Sequence, residues 1–192
     1  MPANHCFLSL FGSSALSNFR QQRLLESFAT RGIHLEKIEA QFVHFVWSDQ
    51  TLSDAELVSL RALLNYGESF TFVEEKGFLN KKYLGKAVTA PRVGTISPWS
   101  SKATDIAHHC GLNVLRIERG IQFYWTSHQP LSNDQLRVVH AGIHDRMTEI
   151  VFNTADDAVD LYQTLSNKEF KRIDVLTGGK EALMQANTLM GL

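Results

Sequence analysis

Two pairs of histidines are the first candidates for chemistry, because histidine can bind a metal ion or exchange a proton near neutral pH. His140 and His144 stand four positions apart, which places them on one face of a helix, and Asp145 follows the second. That spacing suits a metal ion, but catalytic zinc takes three protein ligands and the sequence supplies no evident third. A second pair, His108 and His109, falls at the expected end of another helix, where imidazolium complements the helix dipole without a metal. We therefore predict no metal site.

The common catalytic motifs are missing from the sequence. It contains no G-x-x-x-x-G-K-S/T phosphate loop, no G-x-G-x-x-G fingerprint and no G-x-S-x-G nucleophile elbow. The Thr-Gly-Gly-Lys run at residues 177–180 could hold an anion at a helix start, but a plain turn and cap explains it better. No nucleophile stands beside a recognisable base. We predict no catalytic residue and no cofactor in this chain.

A loop at residues 91–104, PRVGTISPWSSKAT, is the strongest candidate for a binding role. Its two prolines stiffen the backbone, and a helix predicted to begin at Ser100 and Ser101 would offer free N–H groups to an anion. The alternative is an ordinary crossover loop with Trp99 folded back over the core. The contact residues that we predict are Arg92, Gly94, Thr95, Ser97, Trp99, Ser100, Ser101, Lys102, Thr104 and Asp105.

The elements that must position this loop form a repeated pattern. Residues 6–66 and 83–150 each read as strand, Ser-Ser-capped helix, strand and Ser-capped helix, the first helix being capped by Ser13 and Ser14. LSDAEL at Leu52 and LSNDQL at Leu131 have the capping-box spacing. Chance similarity of two such units is the alternative. The pattern predicts an α+β fold, a tandem pair of ferredoxin-like β-α-β-α halves packed as a pseudo-dimer.

The predicted domain boundary falls after the second half. Residues 1–152 would form the duplicated domain, and its last helix is predicted to reach about Ile150. Residues 153–192 would form a C-terminal extension with a short amphipathic helix at 156–165, an extended stretch at 168–176 and a last helix at 179–189. A loop or weak hairpin is expected at residues 67–83.

Composition narrows the classes of partner. The 192 residues are 44% hydrophobic and 20% charged, with a formal net charge of -1, which argues against nucleic acid and anionic membranes as partners. No stretch approaches the roughly 20 apolar residues of a membrane span. Two cysteines, Cys6 and Cys110, do not make a disulfide framework and indicate a reducing compartment. We expect the cytoplasm.

Four segments carry a resemblance to a known family. They are PRVGTISPWSSKATDIAHHCGL with the Arg-Ile-Glu-Arg-Gly at 116–120, FGSSALSNFRQQRLL at 11–25, QFVHFV at 41–46 and HDRMTEIVF at 144–152. Together they resemble the N-terminal region of phosphoribosylformylglycinamidine synthase in its large single-chain form. The resemblance covers nearly the whole chain.

The resemblance implies a structural role. In that family this region is a non-catalytic domain, similar to a paired form of the small separate subunit of split enzymes. The complete enzyme uses ATP, magnesium and glutamine to convert formylglycinamide ribonucleotide to formylglycinamidine ribonucleotide. The implied partners are its synthetase and glutaminase domains, in cis or in trans, with support of ammonia transfer as the implied role.

The resemblance leaves several alternatives open. The chain alone is expected to be inactive, and it could be an excised domain, a truncated reading frame or a separate subunit. Self-association of the isolated chain also stays open, because a bare docking interface would expose apolar area. The alternative functions are a free-standing small-molecule or anion-binding domain that uses the helix start at Ser100, and a metalloenzyme built on His140 and His144.

Overall fold

The computed structural model describes residues 6–70, 83–162 and 172–190. The elements in chain order are β1 (Cys6–Ser14), α1 (Asn18–Ala29), β2 (Lys37–Ser48), α2 (Asp54–Leu63), β3 (Tyr83–Pro91), α3 (Pro98–His109), β4 (Arg116–Ser127), α4 (Asn133–Ile143), β5 (Glu149–Phe152), a 3₁₀ helix (Asp156–Tyr162) and α5 (Val175–Met190). None of the helices in these residues is long and apolar enough to cross a membrane.

The five strands form one antiparallel sheet in the order β1-β2-β4-β3-β5. The two longest strands, β2 and β4, pair at its centre from Lys37 opposite Thr126 to Trp47 opposite Arg116. Each half therefore contributes a strand pair, and the two pairs join through equivalent strands. The α+β fold and its tandem halves, predicted from the sequence, are confirmed.

The four helices of the two halves lie on one face of the sheet. Leu60 of α2 and Ala107 of α3 pack over Val46 and Ile117, whereas the second cluster centres on Phe28 of α1 and includes Val139 of α4 with sheet residues of the same face. Alternate residues of the strands face the other way, where the 3₁₀ helix covers Val43, Phe45 and Val88. The sheet thus buries apolar side chains on both faces.

Serines begin the helices, but not always the predicted ones. The capping boxes of Ser53 with Glu56 and of Ser132 with Gln135 are present as predicted. The predicted caps Ser13 and Ser14 are wrong, because β1 continues through Ser14 and α1 begins after Ser17. The predicted start of α3 at Ser100 and Ser101 is also wrong: Ser97 is the cap, and Pro98 occupies the first helical position that suits proline.

The end of the second half also differs from the prediction. The helix expected to reach Ile150 ends at Ile143, and a turn at Asp145 leads into β5, whose residues pair with the outer side of β3. Ile143, Met147 and Ile150 have helical spacing, so the local pattern favoured a longer helix. Pairing with a distant strand overrides that local preference.

The C-terminal predictions are met only in part. The helix expected at 156–165 is a 3₁₀ helix over Asp156–Tyr162, and residues 163–165 lie outside the described residues. The last helix begins at Val175, earlier than predicted, with a kink at Gly179, where φ is +51°. The extended stretch expected at 168–176 lies outside the described residues up to 171, and the loop expected at 67–83 does so from 71 to 82. The domain boundary after residue 152 stays a prediction.

Candidate functional site at the Trp99 corner

A buried carboxylate holds the start of α3. Glu118, which has no exposed surface, accepts hydrogen bonds from the Ser97 hydroxyl at 2.6 Å and the Ser97 N–H at 3.2 Å. It also accepts from Arg116 Nη2 at 2.7 Å and from the Arg119 N–H at 3.0 Å. Hydrogen bonds to a charged carboxylate are stronger than those between neutral groups, and four separate donors bind this one. The chain therefore supplies its own anion at this helix start.

This arrangement contradicts the prediction that Ser100 begins the helix and offers free N–H groups to an anion. Ser100 is fully buried inside the first turn of α3, where its N–H donates to Ser97 Oγ at 3.0 Å and its hydroxyl accepts from Arg116 Nε at 3.3 Å. Because α3 begins after Ser97, the fold has no helix start at Ser100 that could bind an anion. The geometric basis of that alternative is wrong.

Arg116 ties the preceding loop to the same network. Its Nη2 donates to the Thr95 carbonyl at 2.7 Å, and the Thr95 N–H and hydroxyl donate to the Arg92 carbonyl at 3.0 and 2.6 Å. Gly94 lies inside this turn with φ of +80°, a conformation that favours glycine. The loop is consequently a fixed corner on the sheet. We call residues 92–105, with Arg116 and Glu118, the Trp99 corner.

The predicted contact residues separate by exposure. Arg92, Gly94, Thr95, Ser101, Lys102 and Asp105 are exposed, Ser97, Trp99 and Thr104 are half-buried, and Ser100 is buried. Thr104 is occupied structurally, since its hydroxyl accepts from the Ile117 N–H at 3.0 Å. The structure thus brings all ten together at one corner, with Ser97, Ser100 and Thr104 acting as internal supports.

Trp99 rests on a cation that the contact prediction did not include. The Arg119 guanidinium lies 4.8 Å from the centre of the Trp99 ring and 4.6 Å from the centre of the Phe42 ring. Such cation–π contacts stabilise an arginine that is partly removed from water. The sequence did carry a signal, because Arg119 interrupts the apolar side of an otherwise alternating strand.

A chain of hydrogen bonds extends from Arg119 to β1. Arg119 Nη1 donates to the Tyr66 hydroxyl at 3.3 Å, and Tyr66 lies 2.7 Å from His44 Nε2. His44 Nδ1 lies 3.3 Å from the Leu10 carbonyl, which can only accept. His44 Nδ1 therefore carries the proton, and Nε2 accepts from Tyr66. Burial, with a smaller contribution from the Arg119 charge, lowers the pKa of His44 to about 4.

Two clefts adjoin Trp99. The larger, which we call the α2–α3 groove, has a volume of about 250 Å³ and is lined by Leu63, Tyr66, Trp99, Lys102, Ala103 and Ile106. The smaller, about 180 Å³, is also lined by Trp99, with Arg119 and Glu149 in its wall. Tyr66, Leu63 and Ile106 were absent from the sequence-based contact set, because only the fold brings the end of α2 beside α3.

The histidine pair does not come together as a metal site. His144 lies beyond the end of α4 and hydrogen-bonds the carbonyl of His140 through Nδ1, while His140 packs against the Trp125 ring. Within residues 6–70, 83–162 and 172–190, no three His, Cys, Asp or Glu side chains are grouped to hold a metal ion. The described residues give the metalloenzyme alternative no support.

Comparison with protein families connects this architecture to a known domain. The model of the family described as formylglycinamide ribonucleotide amidotransferase N-terminal matches residues 41–162. The match runs from β2 to the end of the 3₁₀ helix and contains the Trp99 corner, Arg119 and Tyr66. More than half of the sequence lies inside it. The chain belongs to the formylglycinamide ribonucleotide amidotransferase N-terminal family.

Proposed function

We propose that this chain is the non-catalytic docking domain of a purine-biosynthetic amidotransferase. That enzyme converts formylglycinamide ribonucleotide, glutamine and ATP to formylglycinamidine ribonucleotide. The chain would brace the synthetase domains and support ammonia transfer, while ATP and magnesium would bind to those other domains. Its location would be the cytoplasm, where thiols such as Cys6 and Cys110, both free in this fold, stay reduced.

One observation carries the proposal: internal hydrogen bonds hold the Trp99 corner, its outer side chains are exposed, and its residues form no catalytic constellation. Arg116 and Glu118 fix the loop from inside, and this frees the outer side chains for contact. Ile96, 64% exposed, and Lys102 project from the held backbone. Surfaces that are ordered before binding lose little conformational entropy when they dock, which favours a permanent interface.

Reconstitution in trans tests the proposal. The synthetase–glutaminase polypeptide of a family member, made without its N-terminal domain, is mixed with this chain, and product formation is measured against chain concentration. We expect the chain to restore activity, and replacement of both Trp99 and Lys102 by Ala to raise the half-saturating concentration at least tenfold. The matched control replaces Phe19 by Ala, because Phe19 is 67% exposed and stands at the same position after the cap of α1.

Two results would contradict the proposal. The first is product formation by the 192-residue chain alone, and the second is equal reconstitution by the double variant and the unmodified chain. Because Trp99 is half-buried, the double variant could lose stability. The single exposed change Arg92→Glu, at another predicted contact residue and checked by circular dichroism, keeps the test decisive.

A further inference from the structure

The α2–α3 groove is open and apolar. Its walls are Leu63 at the end of α2, and Trp99, Ala103 and Ile106 along α3. Ile106 is 47% exposed, although its neighbour Ala107 is fully buried in the core beneath. An exposed apolar side chain in the wall of a concave surface marks a contact site more often than a lone surface residue does.

The Tyr66 hydroxyl in the groove wall already has two hydrogen-bond partners. Tyr66 accepts from Arg119 and donates to His44, so its oxygen offers little to a ligand inside the groove. A small polar molecule would leave its own donors and acceptors without partners there, which costs free energy. The occupant that fits is an apolar side chain.

The rim of the groove carries a positive charge. Lys102 is exposed on α3, and it belongs to none of the ion pairs found among the described residues. Asp105 stands one helical turn further on, but the two side chains do not pair. A carboxylate on the occupant would therefore meet a cation that has not been neutralised by the chain itself.

Trp99 forms a prepared wall. The indole is clamped from the sheet side by Arg119, whose guanidinium also contacts Phe42. His44 lies 5.6 Å from the indole, centre to centre, so two neighbours restrict its motion. Tryptophan is enriched among the few residues that carry most of the binding energy of protein interfaces, and here it is held in place in the wall of an apolar groove.

We propose that the α2–α3 groove receives an apolar side chain from a partner polypeptide segment whose adjacent carboxylate pairs with Lys102. The inference rests on the proposed function, since the partner is the synthetase part of the amidotransferase. It adds the location of the contact, the chemistry of the partner segment and the roles of Ile106, Tyr66 and Leu63. Arg119 acts as a positioning residue that holds the Trp99 wall.

Site-specific photo-cross-linking tests the location. A benzophenone amino acid is introduced at Ile106 in the full chain, which is mixed with the synthetase–glutaminase polypeptide and irradiated. The matched control carries the same group at Val58, which is 68% exposed on α2 but does not line the groove. We expect cross-linking at position 106 at least fivefold above position 58, to a segment with Asp or Glu within one helical turn of an apolar residue.

A charge reversal tests the chemistry. Lys102→Glu should lower the cross-linking yield at position 106 and raise the half-saturating concentration about tenfold, with a larger effect at low salt. Arg20→Glu, an equal charge change on exposed α1, should alter neither measurement.

The outcomes separate this inference from the proposed function. Normal reconstitution with no cross-link at position 106, or with a cross-link to a second copy of this chain or to a segment without a carboxylate, overturns the groove assignment alone. If Lys102→Glu leaves the cross-linking yield and the half-saturating concentration unchanged, the proposed ion pair with Lys102 is wrong. Failure of the unmodified chain to reconstitute activity would instead count against the proposed function.

Discussion

His44 and Arg119 stand opposite each other across the central strand pair, and the Tyr66 hydroxyl bridges their side chains. The equivalent positions of the duplicated strands hold Phe123, which matches His44, and Ala40, which matches Arg119. This hydrogen-bonded group therefore occurs in one of two structurally equivalent places. The two halves share a fold, but the polar support lies only beneath Trp99, where His44 and Tyr66 of the first half meet Arg119 of the second.

The stability of the chain should fall as the pH is lowered toward that of the His44 transition. His44 has a pKa of about 4 in the fold and about 6.5 when unfolded. The unfolded chain therefore binds more protons between these values, and His44 favours folding fully above pH 6.5 and loses that contribution as the pH falls toward 4. The complete loss is about 3 kcal/mol, of which about 2 kcal/mol falls between pH 7.0 and pH 4.5. Urea unfolding at pH 7.0 and 4.5 measures it.

A variant that lacks the His44 imidazole shows how much of the pH dependence comes from this residue. His44→Gln should be less stable at pH 7 but less dependent on pH, whereas His128→Gln, at an exposed position, should follow the unmodified chain. An NMR titration that gives His44 a pKa near 6.5 would contradict the expectation.

Local patterns accounted for much of this fold. Period-two alternation found β4, and a run that is apolar on both alternating sets found β2. The spacing of Ser53 to Glu56 and of Ser132 to Gln135 found two helix starts, because those signals lie within a few residues. β5 was missed because its apolar spacing fits a helix equally well, and only its partner strand decides between them.

The sequence predicted where the candidate site lies, but not which residues hold it together. Proline, glycine and tryptophan marked the loop, since each has a strong local meaning. Glu118 and Tyr66 could not be assigned, because their roles depend on contacts with residues 21 and 22 positions away in sequence, Ser97 and His44 respectively. Such contacts follow from strand register, which the alternation pattern alone does not fix.

Removal of the Glu118 charge should destabilise the fold far more than the same change in the other half. Arg116 and Glu118 are the first and third residues of β4, where β2 has Lys37 and Glu39. Glu118 is fully buried beside Arg116, whose side chain is 14% exposed, whereas the Lys37 and Glu39 side chains are 46% and 24% exposed. Glu118→Gln leaves the largely buried Arg116 without its counter-ion and should cost about 3 kcal/mol.

Glu39→Gln is the matched control and should cost less than about 1 kcal/mol. The free energies of unfolding in urea give both values. Equal losses for the two variants would show that the buried pair adds nothing beyond a surface ion pair.

Gly120→Ala should also destabilise the chain, because β3 and β2 leave no room for a Cβ atom. An added Cβ would lie 2.5 Å from the Thr89 carbonyl oxygen and 2.8 Å from a ring carbon of Phe45. The backbone contact cannot be relieved by a side-chain rotation, so we expect a loss of about 3 kcal/mol. Thermal unfolding should show it as a clear fall in Tm.

Gly32→Ala provides the comparison for Gly120. Its φ is +74° and no atom lies within 4 Å of the added Cβ, so backbone strain alone should cost about 1 kcal/mol. A smaller loss at Gly120 than at Gly32 would contradict the packing at the centre of the sheet.

Ser97→Ala should cost more than the loss of an ordinary helix cap. Ser97 Oγ accepts from the Ser100 N–H at 3.0 Å and donates to the buried Glu118 carboxylate at 2.6 Å, whereas Ser17, the equivalent cap of α1, accepts only from the Arg20 N–H at 3.4 Å. A lost cap costs about 1 kcal/mol, and a hydrogen bond to a buried charge adds about 2 kcal/mol.

The Ser97 prediction separates the two contributions. Ser17→Ala should lose about 1 kcal/mol and Ser97→Ala about 3 kcal/mol in urea unfolding. In a double-mutant cycle, Ser97→Ala should cost much less when Glu118→Gln is already present, because the two side chains share one hydrogen bond. Additive losses would mean that Ser97 and Glu118 stabilise the Trp99 corner independently, and the carboxylate would then not be the anchor of α3.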